Sequence, residues 1–366
     1  MEHISELRDS LNGYFGWNKA RITCFAKMVL ALVLTRTINL TKLACVFASD
    51  AKPLSRYRRL QRFFAGVELD YNLIAGFIFR LFFVSGGQWY LTVDRTNWQW
   101  GKTDINILTL AIAFKGTAIP IYWELLNNNG GNSDTQQRIE LFQTFINRFG
   151  KECIAGILGD REFIGGDWFG WLLKEKIAFY IRIKKNTITT NSRGLEIDID
   201  ALFYGLKPQE QRVIEGKRRI MGHKLYLAGL RLSDGELLIV ATSEAPDNAI
   251  KTYGIRWEIE TLFGCLKGRG FHFEDTHVTD RVRIKKLLVL LAIAFCWAHK
   301  TGEWRHEVEP IKIKKHGRLA VSLFRYGLDY IIEAVTKVYH RGDLFEKCLA
   351  RIRLPEQHLH SVGVCL

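Results

Sequence analysis

The spacing of hydrophobic and polar positions changes three times along the chain, dividing it into four stretches. Up to about residue 85 the period is helical. Lys19 to Thr35 carries a dense apolar face, Leu40 to Phe47 reads as a short helix capped by Asn39 or Thr41, and Leu54 to Phe64 follows a polar turn ending at Pro53. From Gln88 the period drops to two. Gln88 to Thr96, Ile105 to Phe114 and Ala118 to Leu125 are rich in β-branched and aromatic residues, and Gly101-Lys102 and Lys115-Gly116 supply tight turns between antiparallel strands. A helix is predicted from Asp134 to Phe149, capped by Ser133, with Phe142, Phe145 and Phe149 on one side. A short buried strand, Ile154 to Leu158, then runs into Gly159-Asp160.

The third stretch is again strand-like, with Phe179 to Ile183, Lys224 to Leu230 and Leu237 to Ala241 separated by lysine- and arginine-rich sequence. This is more than a loop and reads as a β-rich insertion. The fourth is helical: Ala249 to Lys267, Val282 to His299, then a basic segment that includes Lys312, Lys314 and Arg318. Three antiparallel strands, a helix and a further strand, with acids at strand ends, are the order expected of an α/β, RNase H-like sheet.

Composition narrows the partners. A chain of 366 residues has room for two or three domains, and its formal charge of +14 attracts a polyanion, so nucleic acid is the default partner. A merely soluble basic protein would show the same balance. Seven cysteines without a CxxC pair argue against a disulfide framework or zinc ribbon and suit a reducing cytoplasm. The first residues lack a signal-peptide pattern, and the most apolar run, Leu287 to Ala298, is too short to cross a bilayer, so no membrane is expected. Arg56, Arg58, Arg59 and Arg62, interleaved with apolar residues on the second of two short helices, fit either a helix-turn-helix in a major groove or a bundle with a solvated basic face.

Candidate chemistry centres on three acids. Asp94 follows Tyr90-Leu91-Thr92-Val93, and Asp160 follows Ile157-Leu158-Gly159. An aspartate ending a buried strand needs a hydrogen bond, an ion partner or a cation, although capping the next turn is the commoner role. On a continuous helix from Ala249 to Lys267, Tyr253, Arg256, Glu260 and Lys267 fall within a wedge of roughly 60°. Ile255, Ile259, Leu262 and Leu266 lie opposite. Arg256 paired with Glu260 on a solvent face would look the same.

The spacing of Tyr253, Arg256, Glu260 and Lys267 resembles the signature of the IS4 family of bacterial insertion-sequence transposases. Asp94-Arg95-Thr96-Asn97-Trp98 and Gly159-Asp160-Arg161-Glu162-Phe163 are similar to that family's first and second acidic motifs. The resemblance implies a DDE transposase that excises and inserts DNA by metal-dependent in-line phosphoryl transfer. Asp94, Asp160 and Glu260 are then the catalytic metal ligands, for two Mg²⁺ ions with Mn²⁺ as a substitute. Tyr253, Arg256 and Lys267 hold DNA phosphate; Arg95 and Arg161, adjacent to the acids, are either further phosphate contacts or structural partners of a neighbouring carboxylate. It also implies a hairpin intermediate with a flipped base stacked on a tryptophan of the insertion. No tryptophan lies between Trp171 and Trp257, which leaves aromatics such as Tyr204 or Tyr226. The partners implied are double-stranded DNA, as terminal inverted repeats and target, and a second copy in a homodimer. The expected location is the bacterial cytoplasm, on the nucleoid. The expected domains are an N-terminal helical DNA-binding domain (1–85), an RNase H-like catalytic core (86–178 and 243–305), the β-rich insertion (179–242) and a basic helical C-terminal region (306–366). An RNase H-like endonuclease that does not integrate, or a DNA-binding protein without catalysis, are the competing expectations.

Overall fold

The computed structural model describes residues 2–84, 86–127, 131–191, 193–315, 317–337 and 342–354. Residues 316, 338–341 and 355–366 of the expected region 306–366 therefore lie outside the described residues. The chain opens with five helices: α1 (Glu2–Phe15), α2 (Lys19–Thr35), α3 (Leu40–Val46), α4 (Pro53–Gly66) and α5 (Tyr71–Phe82). Their starts follow from local chemistry. The side chains of Asn18, Asn39 and Asp70 accept backbone N–H groups of the first turns of α2, α3 and α5, and Pro53 opens α4 where no N–H is needed.

The chain then forms strands β1 (Trp89–Trp100), β2 (Thr103–Phe114) and β3 (Thr117–Leu125), helix α6 (Thr135–Phe149), β4 (Ile154–Gly159), α7 (Gly166–Lys174) and β5 (Phe179–Ile183). Lys115 and Gly116 both have positive φ, as a two-residue hairpin turn between twisted strands requires. The cap of α6 is Asp134, not the expected Ser133: its carboxylate accepts the Gln137 N–H while the Gln137 side chain accepts the Asp134 N–H.

Next come β6 (Ile188–Thr190), β7 (Glu196–Asp198), β8 (Gln211–Ile220), β9 (His223–Arg231) and β10 (Leu237–Thr242), then helices α8 (Ala249–Gly254) and α9 (Trp257–Leu266). Eight strands make one mixed sheet in the order β3-β2-β1-β4-β5-β10-β9-β8. The β1–β4 and β4–β5 pairs are parallel and the others antiparallel. The first five strands are consistent with an RNase H-like core. Phe179 to Ile183, read from sequence as the first strand of the insertion, pairs with β4 in parallel from Ile157↔Phe179 to Gly159↔Ile181. Strands β10, β9 and β8 extend the same sheet, whereas β6 and β7 pair only with each other in a second, two-stranded one. Antiparallel pairing of β10 on β5, from Ile239↔Ile183 to Thr242↔Tyr180, covers an edge that would otherwise stand open.

The chain ends in α10 (Arg281–Val308), α11 (Leu323–Thr336) and α12 (Gly342–Leu349). Contacts divide it into two units, a mainly helical one of Met1–Val84 with Phe263–Leu366 and a sheet unit of Ser85–Leu262. Inside the helical unit, the buried ammonium of Lys286 donates to the Phe64 carbonyl, and α10 and α11 touch through Gly302 and Gly327, where any Cβ would collide with backbone. Leu287 to Ala298 is buried in this unit, and among the described residues no single helix is long and apolar enough to cross a membrane.

Candidate active site

Backbone register sets the two aspartates side by side. The last β1–β4 pair is Val93↔Gly159, where paired strands lie about 4.8 Å apart, and Asp94 and Asp160 are the next residue on each side. Asp160 follows the end of β4 as expected. Asp94 does not end its strand: β1 continues to Trp100, with Asp94 opposite Thr109 of β2. Two strands must both reach the Gly101-Lys102 turn, so β1 outlasts β4 and Asp94 stands where the fourth strand drops away. The carboxylates of Asp94 and Asp160 accept the N–H groups of Arg95 at 2.7 Å and Arg161 at 2.5 Å.

The expected helix from Ala249 to Lys267 is broken. Between α8 and α9 the backbone closes i→i+3 hydrogen bonds, from the Arg256 N–H to the Tyr253 carbonyl and from the Ile259 N–H to the Arg256 carbonyl. Such tighter turns advance about 120° per residue rather than 100°, which removes the uniform polar wedge. Arg256 therefore points inward, its side chain 4% exposed. Its guanidinium donates to the Asp94 carboxylate at 3.0 Å, to Glu260 at 2.7 Å and to the Tyr253 hydroxyl at 3.1 Å. Tyr253 is buried too, and burial pushes its hydroxyl up to about 12. Neither side chain is exposed in this arrangement. Glu260 is 41% exposed. Lys267 belongs to the helical unit, where its ammonium pairs with Glu274 at 2.7 Å.

Burial raises the Asp94 carboxyl from its ordinary value to about 6; Arg256 and the Arg95 N–H oppose this, while the charges of Asp160 and Glu162 add to it. A carboxyl raised on folding stabilises the fold in its protonated form. That contribution is complete below about pH 4 and is lost as pH rises through about 6. Urea unfolding between pH 4 and 7 checks this: the wild type should lose stability relative to Asp94→Asn as pH rises. The opposite slope would mean that Arg256 outweighs burial.

Beside Asp160 a cavity of about 810 Å³ opens in the sheet unit, lined by Arg161, Arg182, Lys184, Lys185, Tyr204 and Arg231. Glu236, on the same lining, pairs with Arg161 and Arg182. Phe203 is buried against Gly229, where a Cβ would come within 2.5 Å of its ring, and Tyr204 next to it is 86% exposed. Tyr226 lies on β9 with the Lys217 ammonium 4.9 Å from its ring centre and does not line this cavity. In the helical unit, Arg58, Arg59 and Arg62 of α4 are exposed, whereas Arg56 is spent on the carbonyls of Ala51, Ala44 and Cys45. Sequence reasoning missed Arg182, although an arginine within the apolar run Phe179 to Ile183 was a visible signal, and it gave Glu162 no role.

The family model for the transposase DDE domain matches residues 76–297, more than half of the chain and all of the site residues from Asp94 to Lys267. No curated protein matches the chain. Among solved structures it is similar to piggyBac transposase in a cryo-EM synaptic complex with hairpin DNA, with 11% identity and a TM-score of 0.43, over 97% of this chain and 84% of that one. By the family match, this chain belongs to the DDE transposase domain family.

Proposed function

We propose that the chain is an IS4-type insertion-sequence transposase that excises its element and joins it to target DNA by in-line phosphoryl transfer at Asp94, Asp160 and Glu260. The observation that carries this reading is the meeting of Asp94 and Glu260 on one guanidinium, that of Arg256, 162 residues from Asp94, with Asp160 on the neighbouring strand.

Oxygen donors without histidine or cysteine suit Mg²⁺, with Mn²⁺ as a substitute and two ions expected. Asp94 and Asp160 fit as donors: adjacent carboxylates, one driven toward its neutral form by burial, gain from a cation between them. Glu260 fits chemically as the third donor but is held on Arg256. Among the described residues no group of three or more acidic, histidine or cysteine side chains is gathered as a metal cage. Bound there, a divalent cation supplies activation of a water or 3′-hydroxyl and stabilisation of the leaving oxygen.

The protein's own groups do the rest. Arg256 holds Asp94 and Glu260 as a charged bridge, and Tyr253 orients Arg256. Arg161, Lys184 and Lys185 draw a phosphate backbone along the cavity, where Tyr204 offers a stacking face. Lys267 keeps its proposed phosphate contact, and Arg58, Arg59 and Arg62 supply further DNA contacts. Action on two element ends implies a homodimer on the bacterial nucleoid, in the cytoplasm.

The test supplies purified protein with Mg²⁺, DNA bearing the repeats that flank its gene, and a target plasmid. Joined products are expected. Cleavage without joining would make it an RNase H-like endonuclease, and DNA binding without cleavage would remove catalysis from the reading.

A further inference from the structure

We infer that the partly buried Arg95–Glu162 ion pair is a positioning device that fixes the spacing of the Asp94 and Asp160 carboxylates. The inference rests on the proposal that these two aspartates share a cation. Backbone pairing between β1 and β4 stops at Val93↔Gly159, so it does not reach the two acids. Like charges at unpaired positions push apart, and the Asp160 charge acts on Asp94 in that sense.

One residue beyond Asp94 and two beyond Asp160, Arg95 and Glu162 close that gap. The Arg95 Nε donates to the Glu162 carboxylate at 2.5 Å, and the two side chains are only 13% and 15% exposed. The other Arg95 nitrogens donate to Asn106 at 3.0 Å, the Gly131 carbonyl at 2.8 Å and Asn132 at 3.2 Å. The same Glu162 oxygen accepts the N–H and hydroxyl of Ser133, each at 3.3 Å. Arg138 of α6, itself buried, donates to the carbonyls of Ser133 at 2.6 Å and Glu162 at 3.1 Å. Thus β1, β2, the turn after β4 and the segment before α6 are tied at one point.

Stability alone is a poor reason for the pair, since a buried ion pair often does no better than apolar residues of equal volume. What two charged planar groups add is a fixed distance and direction. The pair also keeps Glu162, a fourth carboxylate near Asp94, engaged with Arg95 and Ser133 and so outside the donor set.

The experiment measures Mn²⁺ binding to the DNA-free protein by electron paramagnetic resonance, with a melting curve for each variant. Glu162→Gln should melt cooperatively yet bind Mn²⁺ about tenfold to hundredfold more weakly, as loss of an outer partner of metal ligands does. Asp160→Asn serves as the control and should lose binding outright. A folded Glu162→Gln protein within about twofold of wild-type Mn²⁺ affinity, with the control impaired, would overturn the positioning role alone. Wild type that binds no Mn²⁺, or binds it equally well as Asp160→Asn, would overturn both this role and the shared-cation reading. Should Glu162→Gln not fold, Arg95→Lys is read in the same way, because an ammonium cannot span Glu162, Asn106, Gly131 and Asn132 at once.

Discussion

Asp160→Ala is expected to give a folded protein that binds DNA with wild-type affinity and cuts it at less than about a hundredth to a thousandth of the wild-type rate. Losing one fixed hydrogen-bond donor to a developing charge already costs about 10²–10³ in rate, and a metal ligand influences both the attacking and the leaving oxygen. The side chain follows the end of β4, is only half-buried, and accepts one local N–H, so little of the fold depends on it. Single-turnover cleavage with a parallel binding titration separates the steps. If the variant cuts at the wild-type rate, the acid reading fails at its centre; if it does not fold, the aspartate is structural.

The second large effect concerns stability. Arg256→Ala should lower the free energy of unfolding by about 3–5 kcal/mol, the range for removing one partner of a buried ion pair. The guanidinium is nearly sealed from water and satisfies Asp94, Glu260 and Tyr253 together, so its loss leaves a buried carboxylate with no matching charge. Mg²⁺ should then raise the melting temperature of the variant more than that of the wild type, since a cation binding only the folded form adds stability by mass action. A loss below about 1 kcal/mol would place Arg256 among ordinary surface pairs.

This role of Arg256 shows where local pattern stops being informative. The apolar face of Ile259, Leu262 and Leu266 suits a continuous helix as well as a broken one, so periodicity could not reveal the turn at Ile255-Arg256. The partner that draws Arg256 inward is on another strand and far away in sequence. Hairpin turns were legible because Gly101 and Gly116 satisfy a backbone need within two residues. Strand partners were not: the run Phe179 to Ile183 is visibly a strand, but its place beside β4 is a long-range choice made by the sheet. Asp94 and Asp160 were found by type and position, and Glu162, two residues beyond Asp160, went unassigned because its role needs Arg95 opposite.

The grouping of the first 84 residues with those from Phe263 onward sets an order of assembly during synthesis. The sheet unit, with both aspartates, Arg256 and Glu260, is synthesised before the last hundred residues. Helices α2, α4 and α5 must meanwhile wait for α10, which packs against them. A prematurely terminated product would thus carry every proposed catalytic carboxylate yet expose unburied helices to proteolysis, so that an early stop codon yields degraded fragments instead of unregulated cutters.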